Sequence, residues 1–255
     1  MHSADRRAGV LGFWMIPLDL LVLSVDLHIV RRAALTSRGR PARAPVMSSS
    51  FKARLQSYLP WRVSRRPAKQ LLYMWLARDM RHLSGEVGLD AGCGDMSNRR
   101  YFRTNRYIGV DADAARLQAA MDGIDDSRVQ SVVARIEDLN DEYRADVLVC
   151  VQLAGAKFND PTKIPLIVDR LIELTKPGGS LILTVTEKGS AGGIEQAVRN
   201  AFRRVTKRRV GEPAKYGFPK RVQIPVSILL AYLMRGLAPL RKSHRLYFLC
   251  LDKRG

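Results

Sequence analysis

The feature that most constrains this chain is Leu89-Asp90-Ala91-Gly92-Cys93-Gly94-Asp95-Met96-Ser97, followed by Tyr107-Ile108-Gly109-Val110-Asp111. An apolar run enters an acid and two closely spaced glycines. A second apolar run then ends on another acid, 21 residues after the first. Glycine lets a backbone turn tightly and lets a ligand approach where a Cβ would collide. An acid at the tip of the next strand can accept hydrogen bonds from ribose hydroxyls. The arrangement suits a nucleoside-bearing ligand.

From Glu86 the chain alternates strand and helix. The strand candidates are Val87–Asp90, Tyr107–Asp111, Val129–Ala134, Asp146–Val151 and Ser180–Glu187, with Arg245–Leu251 as a closing strand. Helical stretches are expected near Ser97–Phe102 and over Asp113–Met121, Glu137–Tyr143 and Thr162–Thr175. Val147–Val151 and Leu181–Val185 are near-continuous apolar runs, as in parallel strands buried on both faces. The pattern predicts an α/β fold with a doubly wound, mostly parallel sheet. Ligands of such sheets bind beyond the carboxyl ends of the strands, where Asp90 and Asp111 fall. Upstream, Leu71, Leu72, Trp75, Leu76, Met80 and Leu83 form a helical stripe that Gly85 ends. Ser64 is placed to cap this helix and Pro67 lies in its first turn.

Charge is unevenly spread. The chain carries a net +19, yet residues 82–198 hold 13 Lys/Arg against 18 Asp/Glu, leaving 30 basic and 6 acidic residues for the flanks. A mildly acidic centre with basic arms favours a polyanionic partner, either nucleic acid or an anionic membrane surface; a solvated basic surface is the plainer alternative. The three cysteines, Cys93, Cys150 and Cys250, are far apart and fit a reducing compartment. The four histidines have no metal-ligand spacing, so no metal site is expected.

Four regions follow. Residues 1–46 read as a disordered extension or one preceding the true start at Met47. Within them Val10–Val30 is apolar but interrupted by Pro17, Asp19, Asp26 and His28, and a central Asp costs roughly 2.5–3.5 kcal/mol on insertion scales. Residues 47–85 are a basic entry segment and helix, residues 86–198 the ligand-binding core, and residues 199–255 a basic and apolar insertion with the closing strand.

Two features separate the ligand from a dinucleotide. Asp90 precedes the glycines, where it would repel a pyrophosphate and suits an α-ammonium group instead. No second βαβ half follows Lys176-Pro177-Gly178-Gly179. Over Leu71 to Glu187 the chain resembles the class I S-adenosylmethionine-dependent methyltransferases, in particular the methyltransferase type 11 group. Leu89–Met96 resembles the first motif, Tyr107–Asp111 the second, Ala145–Gln152 the fourth and Leu171–Glu187 the late motif. The resemblance implies a seven-stranded sheet whose last strand is antiparallel, and an enzyme that transfers a methyl group from S-adenosylmethionine.

By position, it assigns Asp90, Ala91, Gly92, Cys93 and Gly94 to the methionine end of the cofactor and Asp111 to the ribose. Ala112, Glu137 and Asp138 fall to the adenine, and Val151 and Gln152 to the methionine portion. Met96 stands where the family places a third glycine, and Arg135 where it often places an acid. Gly92 and Gly94 could equally serve a tight turn alone, Asp111 a helix cap, and Glu137 and Asp138 a helix start.

Alignment of the acceptor is the main requirement of methyl transfer, with a general base only where the acceptor must lose a proton. Glu187 and Tyr216 are the candidate bases. Residues 199–242 combine a basic run (Arg203, Arg204, Lys207, Arg208 and Arg209) with the apolar segment Ile224–Met234. They are expected either to dock on anionic lipid or to form an extra helix beside the site. The leading expectation is a cytoplasmic methyltransferase, peripheral to the inner membrane, acting on a small or lipid- or glycan-linked acceptor. An RNA methyltransferase using its basic flanks and a non-catalytic cofactor-binding protein are the alternatives.

Overall fold

The computed structural model describes residues 59, 61, 62, 64, 66–151, 161–186, 191–211, 226–228, 230, 231 and 244–255. The readings made above for residues 1–46 lie outside them. The apolar runs are strands, as their composition requires: β1 is Gly85–Ala91, β2 Thr104–Asp111, β3 Val129–Val133, β4 Ala145–Cys150 and β5 Thr175–Thr186. All five are parallel to their neighbours among them. Two further strands, β6 (Phe202–Gly211) and β7 (His244–Lys253), complete one seven-stranded sheet of order β3-β2-β1-β4-β5-β7-β6. β7 runs antiparallel to both β5 and β6. The closing antiparallel strand is thus where the sequence put it.

Helices cover both faces: α1 (Pro67–Met80), α2 (Ala114–Met121), α3 (Ile164–Leu174) and α4 (Ala191–Ala201). Side chains alternate across β4. Leu148 joins Leu181, Leu183 and Phe248 under Ile167, Leu171 and Val198 of α3 and α4. Val147 and Val149 join Ile182 and Tyr247 under Leu72, Trp75 and Leu76 of α1. Each fully buried side chain of this size contributes about 1.5–3 kcal/mol relative to exposure. The stripe on α1 is therefore core packing.

Four local expectations are corrected. Residues 202–211, assigned above to the insertion, form the edge strand β6, which among the described residues pairs with β7 alone. Charged side chains blunt such an edge against stray pairing, and they also hide the strand in the sequence. Glu137–Tyr143 is not one helix but two short 3-10 turns, Ile136–Asp138 and Asp141–Tyr143. The 97–102 stretch is likewise a single 3-10 turn, Arg99–Tyr101. The residue capping α1 is Arg66, not Ser64, with Pro67 opening the helix. Ser64 instead accepts the Arg66 N–H through its hydroxyl, while the buried Gln70 amide accepts from Ser64 N–H at 2.8 Å and donates to the Arg62 carbonyl at 3.3 Å. The entry segment is thereby stapled to α1. Among the described residues no helix is long and apolar enough to cross a membrane.

Two buried carboxylates fix the layers. Asp79 lies in the last turn of α1, where the helix dipole disfavours an acid. It accepts from the Tyr247 hydroxyl at 2.9 Å, from Arg208 at 2.5 Å and from Arg78 at 3.0 Å. The Arg208 guanidinium also lies over the rings of Trp75 and Tyr247. Asp90, in β1, is fully buried and accepts from Tyr107 Oη at 2.9 Å and Asn98 Nδ2 at 3.3 Å. Burial lifts its pKa from 3.8 to about 7, against the opposing pull of those two hydrogen bonds.

Removing one partner of a buried pair strands the other, so Asp79→Ala should lower unfolding stability by about 3 kcal/mol in denaturant titrations. Asp90 gives a pH signature. Its folded pKa lies above its unfolded one, so the native state holds the extra proton and stability falls as pH rises from about 3.8 to about 7. Asp90→Asn should flatten that fall; an unchanged slope in chemical denaturation across this window would contradict the assignment.

Candidate cofactor site

The carboxyl edge of β1 opens directly into the glycine loop. The backbone N–H groups of Gly92 and Cys93 both donate to the Val110 carbonyl, at 2.8 and 2.9 Å, so the loop folds back onto β2. Gly92 and Gly94 hold φ of 72° and 58°, a left-handed conformation that glycine adopts freely. A Cβ at Gly92 would meet nothing within 4 Å, so the outer side of the loop faces open space. At Gly94 a Cβ would run into the Arg116 guanidinium, which lies 2.5 to 2.9 Å from that point.

Met96 also has a positive φ, 51°. It takes up the backbone conformation of the glycine it replaces, at a cost of roughly 1–2 kcal/mol. Burial of its side chain, 3% exposed among Cys93, Tyr107 and Leu117, offsets that cost. The methyl end packs where a Cβ on Gly109 would sit, 2.7 Å away, so the side chain runs beneath the loop and not across its outer side.

Asp111 ends β2. Its Oδ2 accepts the Gly94 N–H at 2.8 Å and its Oδ1 the Asp113 N–H at 3.0 Å. The cap of α2 is Asp113, whose carboxylate accepts the Arg116 N–H at 3.0 Å. Asp111 is thus left half-exposed, with one further lone pair on each oxygen. The exposed Ala112 follows it.

The turn after β3 closes on the same edge. Val133 pairs with Asp111 in register, and the Ala134 N–H donates to the Asp111 carbonyl. In that turn Glu137 is half-buried and Asp138 is exposed. Arg135 points outward, 63% exposed, and pairs with Glu137 at 4.0 Å. Val151, half-buried, follows β4, whose Val149 is in register with Asp90.

The structure therefore brings Asp90, Ala91, Gly92, Cys93, Gly94, Asp111, Ala112, Glu137, Asp138 and Val151 to one edge. Ala91 is buried under the loop, and Asp90 turns to Tyr107 and Asn98. Gln152, Glu187 and Tyr216 lie outside the described residues. Burial, reinforced by Asp90 and Asp111, pushes the Cys93 thiol far up and keeps it neutral. A separate cavity of about 430 Å³ opens at the other end of β2, between Ser97, Arg99, Thr104, Asn105 and Arg128.

Sequence reasoning missed the supports of this edge. Asn98 and Tyr107 hold Asp90, and Arg62 of the entry segment grips Asp95 of the loop at 2.6 Å. Neither is signalled by spacing, because each partner arrives from a different element.

Residues 89–183 match the sequence model of a family described as a methyltransferase domain. No curated protein matches the chain in sequence. Among solved structures, the N-methyltransferase NodS from Bradyrhizobium japonicum WM9 in complex with S-adenosyl-L-homocysteine is similar, at 15% identity and a TM-score of 0.50, with 79% of this chain and 96% of that chain covered. An rRNA methylase from Streptococcus thermophilus is 12% identical over 72% of this chain and 96% of that one, with a TM-score of 0.46. A precorrin-6y C5,15-methyltransferase from Geobacter metallireducens GS-15 is 13% identical over 69% and 87%, with a TM-score of 0.42. At these identities the likeness is one of fold. The family match spans the very strands that the glycine loop and Asp111 terminate.

Proposed function

We propose that the edge built on Asp111 binds S-adenosylmethionine and presents it to a small or lipid- or glycan-linked acceptor. One observation carries this reading: a single carboxylate receives the Gly94 N–H and still offers lone pairs outward, so the loop and the ribose acceptor form one unit. The residues fit the cofactor. Gly92 leaves open space, and Asp111 can accept two hydroxyl protons. Beneath the loop, Asn98 Oδ1 is a buried acceptor without a donor among the described residues, next to the Asp90 carboxylate. Such a pair of acceptors suits an ammonium group. Glu137 and Asp138 would face the adenine, and Val151 and Gln152 the methionine portion.

The cofactor supplies an electrophilic methyl on a sulfonium centre. The protein's contribution is then to hold the acceptor in line, and well-oriented pairs gain about 7–11 kcal/mol from proximity. Glu187 and Tyr216 remain the candidate bases.

Charge bears on the acceptor. Much of the basic run in β6 is spent within the fold: Arg204 pairs with Asp252, Lys207 with Glu195 and Arg208 with Asp79. That speaks against β6 as a continuous phosphate track for RNA. The helical residues Ser227, Ile228 and Ala231 are buried, and Ala231 packs with Trp75, Val210 and Tyr247. These observations favour a helix packed on the sheet over one laid on lipid. The membrane reading thus rests on the basic flanks and not on this helix face.

Asp111→Asn keeps an acceptor for Gly94 but removes the charge. It should weaken S-adenosylhomocysteine binding about 10- to 100-fold in calorimetry, with a modest fall in melting temperature because the amide nitrogen cannot accept the Asp113 N–H; undiminished affinity would remove the site. A labelled-methyl transfer screen over lipid, glycan and RNA extracts should label the lipid or glycan fraction. Label confined to RNA would overturn the acceptor reading.

A further inference from the structure

The cavity of about 430 Å³ beside the start of β2 lies away from the edge built on Asp111. At 3.3 Å per residue, Asn105 in its wall stands roughly 20 Å along the strand from Asp111. Its volume falls within the usual range of small-molecule pockets. Three guanidinium groups line it, those of Arg99, Arg100 and Arg128, with one carboxylate, Asp126. Arg128 grips both oxygens of Asp126, through Nε at 2.9 Å and a terminal nitrogen at 3.0 Å. Arg99 reaches the same carboxylate only at 3.6 Å, too far for a hydrogen bond. Arg100 donates one terminal N–H to the Leu59 carbonyl at 3.2 Å, and its other donors are left over. The neighbouring acids lie outside the lining and are engaged elsewhere: Asp95 by Arg62 and Ser97, Glu86 by Asn105. The wall therefore holds two positive charges beyond what its one acid balances.

The uncharged groups in the wall are acceptors. Ser97 Oγ spends its proton on Asp95 at 2.6 Å and Thr104 Oγ1 on the Arg106 carbonyl at 2.8 Å, so both offer lone pairs. Asn105 donates through Nδ2 to Glu86, and its amide oxygen takes no hydrogen bond among the described residues. Phe102 and Tyr107 supply an aromatic side, their ring centroids 5.0 Å apart, and the Tyr107 hydroxyl is already spent on Asp90. Excess cations beside acceptors call for a ligand that is both anionic and hydroxylated. A phosphate monoester brings a charge of about −1.5 to −2, which matches the excess where one carboxylate would not. Forked guanidinium groups suit its oxygens. Sugar hydroxyls can donate to the same acceptors that would repel a bare anion. We propose that this cavity is a second ligand site, for a sugar phosphate, separate from the cofactor edge and independent of the cofactor reading.

The test titrates the full chain by calorimetry with ribose 5-phosphate, and with inorganic phosphate and ribose as its separate halves. Ribose 5-phosphate should bind at least about tenfold more tightly than either half. Arg99→Gln should weaken it about tenfold or more. Asp126→Asn releases Arg99 and Arg128 while keeping an oxygen for the Arg128 backbone N–H, and it should tighten binding about threefold or more. A gain of that kind cannot come from misfolding. Asn105→Ala should erase the preference for ribose 5-phosphate over phosphate and leave phosphate binding unmoved. Arg106→Gln removes an equal charge next to Asn105 but outside the lining, and it should change nothing. An equal loss in Arg106→Gln would reduce the site to diffuse surface charge and overturn the proposal. So would wild-type protein that binds none of the three compounds, or phosphate as tightly as ribose 5-phosphate. S-adenosylhomocysteine affinity should be the same in Arg99→Gln as in the wild type; a parallel loss would make the cavity part of the cofactor site and overturn its separateness. Tighter binding of AMP than of ribose 5-phosphate would identify a nucleotide as the source of the sugar phosphate, and weaker binding a free one. Arg99-dependent binding of a mixed-sequence RNA, with ribose 5-phosphate unbound, would overturn the proposal in favour of nucleic acid.

Discussion

Asp111 ties together everything at the carboxyl edge of the sheet. Its side chain takes the N–H of Gly94 from the loop after β1 and that of Asp113 from the start of α2, while its carbonyl takes the N–H of Ala134 after β3. Two segments distant in sequence, together with the start of the next helix, are thereby registered on one residue. The two bonds to its carboxylate are charge-assisted, the stronger class of hydrogen bond. A ligand hydroxyl bound to the outward lone pairs would meet a carboxylate already held in place, so little ordering would remain for the ligand to impose.

The loop above it shows how a departure from a family pattern is absorbed. Three of five successive residues, Gly92, Gly94 and Met96, have positive φ. Two are glycines and bear no strain. The third carries a side chain, and the fold tolerates it because Gly109 on β2 leaves room beneath. The substitution at Met96 and the glycine at 109 are thus one feature. Exchanging the first for glycine would relieve backbone strain but empty a buried site among Cys93, Tyr107 and Leu117, and the two effects are of similar size.

The sequence made some of this legible for plain reasons. Runs such as Val147–Val151 and Leu181–Val185 are buried on both faces, and nothing but a parallel strand fits them between turn residues. The helix expected over Asp113–Met121 is present as α2, with Asp113 at its cap. β6 stayed hidden because an edge strand needs inward-facing apolar residues only sparsely; here Phe202 and Val210 are buried and most of what lies between is charged or polar. The two 3-10 turns after β3 were read as a helix because periodicity over seven residues cannot distinguish them. Ser64 was misplaced as the cap because the buried amide of Gln70, six residues on, holds its backbone. Tertiary pairings of this kind, like Asn98 with Asp90 or Arg62 with Asp95, leave no trace in spacing.

The same limit shaped the reading of charge. A count of basic residues on the flanks suggested a broad polyanion surface, but counting ignores which cations are already paired. Arg204, Lys207 and Arg208 have acids within the fold, and Arg208 is further committed to the rings of Trp75 and Tyr247. Lys207 and Arg208 tie β6 to α4 and α1, whereas Arg204 pairs across to Asp252 of β7. Lys69 is different in kind. It is half-buried, shares its aromatic platform with Arg62 and stands among like charges on the edge where the cofactor loop ends.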